Sequence, residues 1–194
     1  MEEFRSMIAG IWWDYTRASA NVAWVLILFT ILWGVLLTTR VLRGMDRPAW
    51  LRDLHQWLGG LTVFFSLVHM LTLIPDKYVH FQWINLIVPF TNSYKPLAVS
   101  LGVLGFWTLL AIETTSLLMK KMSRETWRRI HMLSYPLYGI IVVHSLTAGS
   151  DVGSRLYTGF TVSLAMTGAA VGGIRLVTGR FIDRKKHDNA ATGI

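Results

Sequence analysis

Long apolar runs broken by short polar stretches organise this chain. They extend from Ala20 to Val41, from Trp50 to Ile74 (ending at Pro75), from Pro96 to Met119, from Trp127 to Leu146 and from Leu156 to Val177. A helix needs roughly 20 consecutive apolar residues to cross a bilayer. The pattern therefore predicts an all-α membrane protein, a bundle of five transmembrane spans. Residues 1–18 mix Trp12, Trp13 and Tyr15 with charges of both signs and read as an interfacial segment, with indole rings at headgroup level. Residues 19–178 then make one membrane domain and 179–194 a basic tail. The connection from Asp76 to Lys95 holds the run INLIVPF, too short to cross. It is expected to lie in the interface or fold over the end of the bundle.

Composition narrows this picture. With 194 residues and 53% hydrophobic content there is no room for a separate soluble domain. The net charge of +8 suggests nucleic acid at first sight, but the basic residues sit in short loops between apolar segments, so no nucleic-acid partner is expected. The absence of cysteine excludes disulfides, iron–sulfur clusters and covalent haem attachment through C-x-x-C-H. The N-terminus MEEF lacks a basic n-region, so the first apolar run is expected to stay as an anchor.

Charge also sets orientation. Arg40, Arg43, Arg47 and Arg52 follow span one; Lys120, Lys121, Arg124, Arg128 and Arg129 follow span three. Arg175, Arg180, Arg184, Lys185 and Lys186 end the chain on the same side. The opposite side holds only Arg5, Arg17, Lys77, Lys95 and Arg155. The positive-inside rule places the N-terminus outside and the C-terminus in the cytoplasm of a multi-pass plasma-membrane protein. Spans two and four then run in the same direction.

Those two spans carry the chemistry. Span two holds His55 and His69, 14 residues apart; span four holds His131 and His144, 13 apart. At about 1.5 Å per residue, each pair is separated by about 20 Å along its helix. Parallel spans bring His55 level with His131 near the cytoplasmic face and His69 level with His144 near the outer face. Facing imidazoles at two depths can clamp two b-type haems, whereas zinc would need its ligands to converge on one point. A lone intramembrane histidine can equally serve as interhelical hydrogen-bond glue, which leaves a haem-free structural subunit as the competing class. At about 100° per residue, 14 residues return to within roughly 40° of one face, but 13 leave the rings about 140° apart. Pro136 lies between His131 and His144, and a kink or local over-winding there is expected to bring both rings to one side. His80 and His187 read as solvated.

The phrases LHQWLGGLTVFFSLVH and WRRIHMLSYPLYGIIVVH carry a resemblance to the ferric reductase-like transmembrane family, which includes the NADPH oxidase membrane domains. The resemblance covers most of the chain, from the first span to the fifth. It implies a transmembrane b-type cytochrome with two bis-histidine haems, His55 and His131 holding the inner one, His69 and His144 the outer. Family members usually have six spans, and the equivalent of their first helix is missing here or reduced to residues 1–18. Reductases and oxidases also continue into a flavin domain where this chain ends. The expected donor is therefore a separate cytoplasmic flavin reductase, with the flavin on the partner, or a quinol. The outer acceptor is ferric iron, dioxygen or a periplasmic protein. The haem subunit that serves periplasmic methionine sulfoxide reductase is a related alternative, also without a flavin domain.

Other residues join these as candidates. Arg52, Arg128 and Arg129 lie within a turn of the inner ligands and suit haem propionates, as Lys77, Tyr78 and Lys95 do on the outer side. Each reads equally as topological charge or a snorkelling side chain. Gly59, Gly60 and Gly139 could admit a flat macrocycle, and Gly168 and Gly172 form a G-x-x-x-G packing pattern. Phe64, Phe65 and Tyr138 fall between the two histidine levels. Glu113, the acid well inside a span, is too costly to leave unpaired. It is expected to pair with an inner-loop arginine, a proton relay being the alternative.

Overall fold

The computed structural model describes residues 2–39, 48–76 and 79–192, with side chains from Gly10 through Ile174 except at 39–48, 77–78 and 150. Arg40, Arg43, Arg47, Lys77 and Tyr78, and the side chains of Arg175, Arg180, Arg184, Lys185, Lys186 and His187, lie outside the described residues. The described chain is helical, with no strand among those residues. Seven α-helices follow in order: α1 (Glu2–Thr39), α2 (Pro48–Thr72), α3 (Trp83–Ile87), α4 (Pro96–Leu117), α5 (Arg124–His131), α6 (Ser134–Ala148) and α7 (Arg155–Thr192).

Four segments among the described residues are long and apolar enough to cross a membrane: Gly10–Thr38, Ala49–Thr72, Pro96–Leu117 and Arg124–Ala148. The first begins earlier than Ala20, because α1 continues without interruption through the residues read as interfacial. Large apolar side chains on these helices point away from the bundle, Phe29, Trp57, Phe64, Trp107 and Val143 among them. An apolar belt of that extent is what lipid covers.

Helix α1 packs along α2, and α4 along α6. The core joins them through Trp24, Ile27 and Leu28 of α1, Ile112 of α4, and Leu137 and Tyr138 of α6. Hydroxyls knit α1 to α2: Thr16 Oγ1 donates to Thr72 Oγ1 at 2.9 Å, and Thr30 and Thr62 meet at 3.4 Å. In a bilayer such interhelical bonds are a main adhesive, since apolar surface gains little by leaving lipid. Near the other end of the bundle from Trp33, Phe81, Leu86 and Val99 pack on Met70, Leu73 and Ile74. The short α3 thus folds over the end of α2 and α4, one of the two positions its sequence allowed.

Helix α4 starts with Pro96 at its first turn, after Lys95 in the left-handed region (φ 39°). Lys95 Nζ reaches across to the end of α6 and donates to the carbonyls of Thr147 (2.9 Å), Gly149 (3.4 Å) and Ala148 (3.5 Å). An ammonium there satisfies orphan carbonyls and complements the negative end of the helix dipole. Lys95, a candidate for an outer anion, is a helix cap.

The fourth apolar segment is broken. Helix α5 ends at His131, and α6 begins at Ser134. Pro136 has no N–H to offer the Met132 carbonyl. That carbonyl instead accepts from Tyr135 N at 3.3 Å, and Ile130 O accepts from Leu133 N at 3.0 Å. Bonds of this three-residue span tighten the turn by about 20° per residue relative to an α-helix, which narrows the angle between His131 and His144.

Candidate functional site

Helices α2 and α5–α6 bring the four histidines together in two pairs. The rings of His55 and His131 have centroids 6.0 Å apart at an interplanar angle of 67°. His69 and His144 line a common cavity of about 210 Å³, bounded also by Thr16, Trp24, Thr62 and Gly102. His55 pairs with the first histidine of α5–α6 and His69 with the second, so α2 and α5–α6 run in the same direction.

Each outer ring nitrogen of the second pair is held by backbone. His69 Nδ1 lies 3.0 Å from the Thr16 carbonyl of α1, and His144 Nδ1 lies 2.8 Å from the Ala98 carbonyl of α4. A carbonyl only accepts, so Nδ1 carries the proton in both rings and Nε2 keeps its lone pair. That is how metal-binding imidazoles are commonly oriented. The His144 ring rests on Gly102, where an added β-carbon would come within 2.6 Å of Cε1.

The first pair is held differently. His131 Nδ1 lies 3.3 Å from Ser116 Oγ, which donates its own proton to the Ile112 carbonyl at 2.7 Å. Trp127 Nε1 donates to the same oxygen at 3.4 Å, and its ring stacks on His131 at 5.1 Å and 25°. His55 Nδ1 is buried and makes no hydrogen bond, facing the backbone of Thr30 without closing one. Its ring packs on Gly34 of α1, where a β-carbon would stand 3.1 Å from Cε1.

Among the described residues no three of His, Cys, Asp or Glu converge on one point. The donor sets are pairs of imidazoles. Metal–imidazole bonds of about 2 Å to each Nε2, added to the ring radii, bring two centroids to about 6 Å. The His55–His131 separation matches this. Facing pairs of imidazoles would suffice to hold haem iron, with His55 and His131 as one pair and His69 and His144 as the other, so the residues present fit haem. His80 is exposed, in a left-handed turn (φ 51°).

The remaining candidates separate. Arg52 and Arg128 are exposed, and Arg129 forms an exposed ion pair with Glu125 at 2.6 Å. Gly59 is covered by the Glu113 carboxylate, whereas nothing approaches Gly60, Gly139 or Gly172 within 4 Å. Glu113 makes no ion pair among the described residues. Phe64 faces outward, while Tyr138 is buried against Trp24 at 5.2 Å and donates to the Leu164 carbonyl of α7 at 2.7 Å. Its ring is packed on Gly168.

Several contributors carry no mark in the sequence. The carbonyls of Thr16 and Ala98 are backbone groups, and Gly34 and Gly102 look like ordinary packing glycines. Arg17 pairs with Asp151 at 2.7 Å, and both line the His69–His144 cavity. Only the fold could join residues so far apart.

Residues 18–142 match the family model described as ferric reductase like transmembrane component. Over 106 residues, 53% of this chain but 16% of the relative, the chain is 26% identical to magnetosome protein MamZ of Magnetospirillum gryphiswaldense. It is also 26% identical over 135 residues to an uncharacterized protein of Archaeoglobus fulgidus, covering 65% of this chain and 71% of that one. No solved structure matches.

Proposed function

Because the chain belongs to the ferric reductase-like transmembrane family, we propose that this multi-pass membrane protein is a b-type cytochrome. It carries electrons across the membrane with two haems, each held by a pair of histidines. His55 and His131 hold one, His69 and His144 the other. The observation that carries this reading is the disposition of His69 and His144, both with Nδ1 on a backbone carbonyl and both lining one cavity. Haem bound by two imidazoles supplies one-electron exchange with no open position on the iron for a substrate.

The residues of the chain do the rest. Thr16 and Ala98 fix the tautomers of their histidines, and Ser116 and Trp127 steady His131. Trp24, Leu137 and Ile141 give the cavity apolar walls that keep water from the space between the helices. Helix α7 is the fifth span, anchored to α6 by the Tyr138–Leu164 bond. The basic connections and tail face the cytoplasm, so the His55–His131 pair lies near the inner surface and the His69–His144 pair near the outer. Arg52, Arg128 and Arg129 are left at the inner surface, exposed to an acidic flavin-bearing donor or the headgroup region where a quinol arrives. The acceptor is met on the outer side.

A dithionite-reduced minus oxidised spectrum of the purified protein tests this. Two b-type haems per chain are expected, with His69→Ala and His131→Ala each removing one. A colourless preparation from haem-replete cells, or full haem content in both variants, would sink the proposal.

A further inference from the structure

We propose that the two histidine pairs are unequal haem sites. The His69–His144 site is preorganised and releases haem slowly, whereas the His55–His131 site is looser and relies on Ser116 as a positioning residue. This rests on the bis-histidine reading above.

The difference lies in what holds each Nδ1. At His69 and His144 the acceptors are carbonyls within helices α1 and α4, at 3.0 and 2.8 Å. A helical carbonyl neither rotates nor donates, so the ligating nitrogen is selected and aimed before any metal arrives. Gly102 adds a floor beneath the His144 ring.

At the other pair, His55 Nδ1 faces the Thr30 backbone of α1 but closes no hydrogen bond to it, so its tautomer is held less firmly than those of His69 and His144. His131 has one long contact of 3.3 Å, to a hydroxyl that Trp127 shares at 3.4 Å. Ser116 can serve as an acceptor because its proton is committed to the Ile112 carbonyl. The Trp127 stack restrains the ring plane but not its rotation within that plane. His131 is also the last residue of α5, beside the break at 132–133. A ligand that must be ordered during binding contributes less affinity. Partners that orient metal-binding histidines typically change affinity by about 10–100-fold.

The test is haem transfer from the loaded, detergent-purified protein to excess apomyoglobin, followed in the Soret band. Two phases of equal amplitude are expected, with rates at least about tenfold apart. His131→Ala should remove the fast phase and His144→Ala the slow one. Ser116→Ala should accelerate the fast phase alone, and Ser116→Thr, which keeps the hydroxyl, should restore it. A single phase, or a fast phase that survives His131→Ala, overturns the inference. Should Ser116→Ala fail to fold, the two histidine variants still decide. Failure of the haem reading itself looks different, because the protein would then carry no b-type absorbance to transfer.

Discussion

The imidazole of His144 sits on Gly102 so closely that a β-carbon there would lie 2.6 Å from Cε1 and 2.9 Å from Nδ1. The ring cannot slide aside, because its Nδ1 is bonded to Ala98, one turn earlier on the same helix. On the proposed two-haem reading, Gly102→Ala should displace His144 and lower haem content by one per chain, with overpacking of about 1–3 kcal/mol. Gly34→Ala meets His55 at 3.1 Å, and that ring has no hydrogen bond to break, so haem content should survive. A pyridine haemochrome assay of both variants reads the contrast. Equal haem in the two would show that Gly102 is not a support for His144.

Pro136 breaks the helical segment that carries His131 and His144. Pro136→Ala gives Met132 O an N–H partner and lets the α-helix run on from His131, turning that ring away from His55. The expected outcome is loss of the His55–His131 haem with the His69–His144 haem retained, alongside a small rise in helical circular dichroism. Full retention of both haems would mean that the break persists without the proline.

Lys95 closes the end of α6 through three carbonyls. Lys95→Met keeps the aliphatic stem and removes the donors. Stability should fall by about 1 kcal/mol, measured as a lower thermal midpoint, because charged donors to helix-end carbonyls contribute on that scale. Haem stoichiometry should not change. A loss of haem from the His69–His144 site would instead give Lys95 a direct part in cofactor binding.

Glu113 lies against Gly59 with its carboxylate, the far end of a flexible side chain. Gly59→Ala should therefore be mild, in contrast to Gly102→Ala. Glu113→Gln preserves shape and removes charge. Unchanged electron-transfer turnover with lowered stability is expected of a structural acid, and a drop in turnover at unchanged stability would make it a proton relay.

The parts of this protein that were legible in the sequence are those written in side-chain identity. Apolar run lengths reveal the four segments long enough to cross a membrane, and histidines recurring at 13 and 14 residues on two of them reveal the pairs. Pro136 between His131 and His144 signals the break, because a proline cannot donate to the preceding turn. What orients the ligands was not legible. The carbonyls of Thr16 and Ala98 would be present whatever residues stood there, and a glycine under a ring looks like any other glycine in an apolar helix. Arg17 and Asp151 meet although they lie 134 positions apart in the chain, so no local pattern connects them. Lys95 shows the same limit: its position on the outer side suggests an anion, while its bonds to the carbonyls of Thr147, Ala148 and Gly149 emerge only with the fold.

Helix α1 supplies no ligand, yet it touches both histidines of α2: the Thr16 carbonyl holds His69, and Gly34 carries the ring of His55. One uninterrupted helix thus seats both imidazoles of α2, so a substitution that displaces α1 bears on both histidine pairs at once.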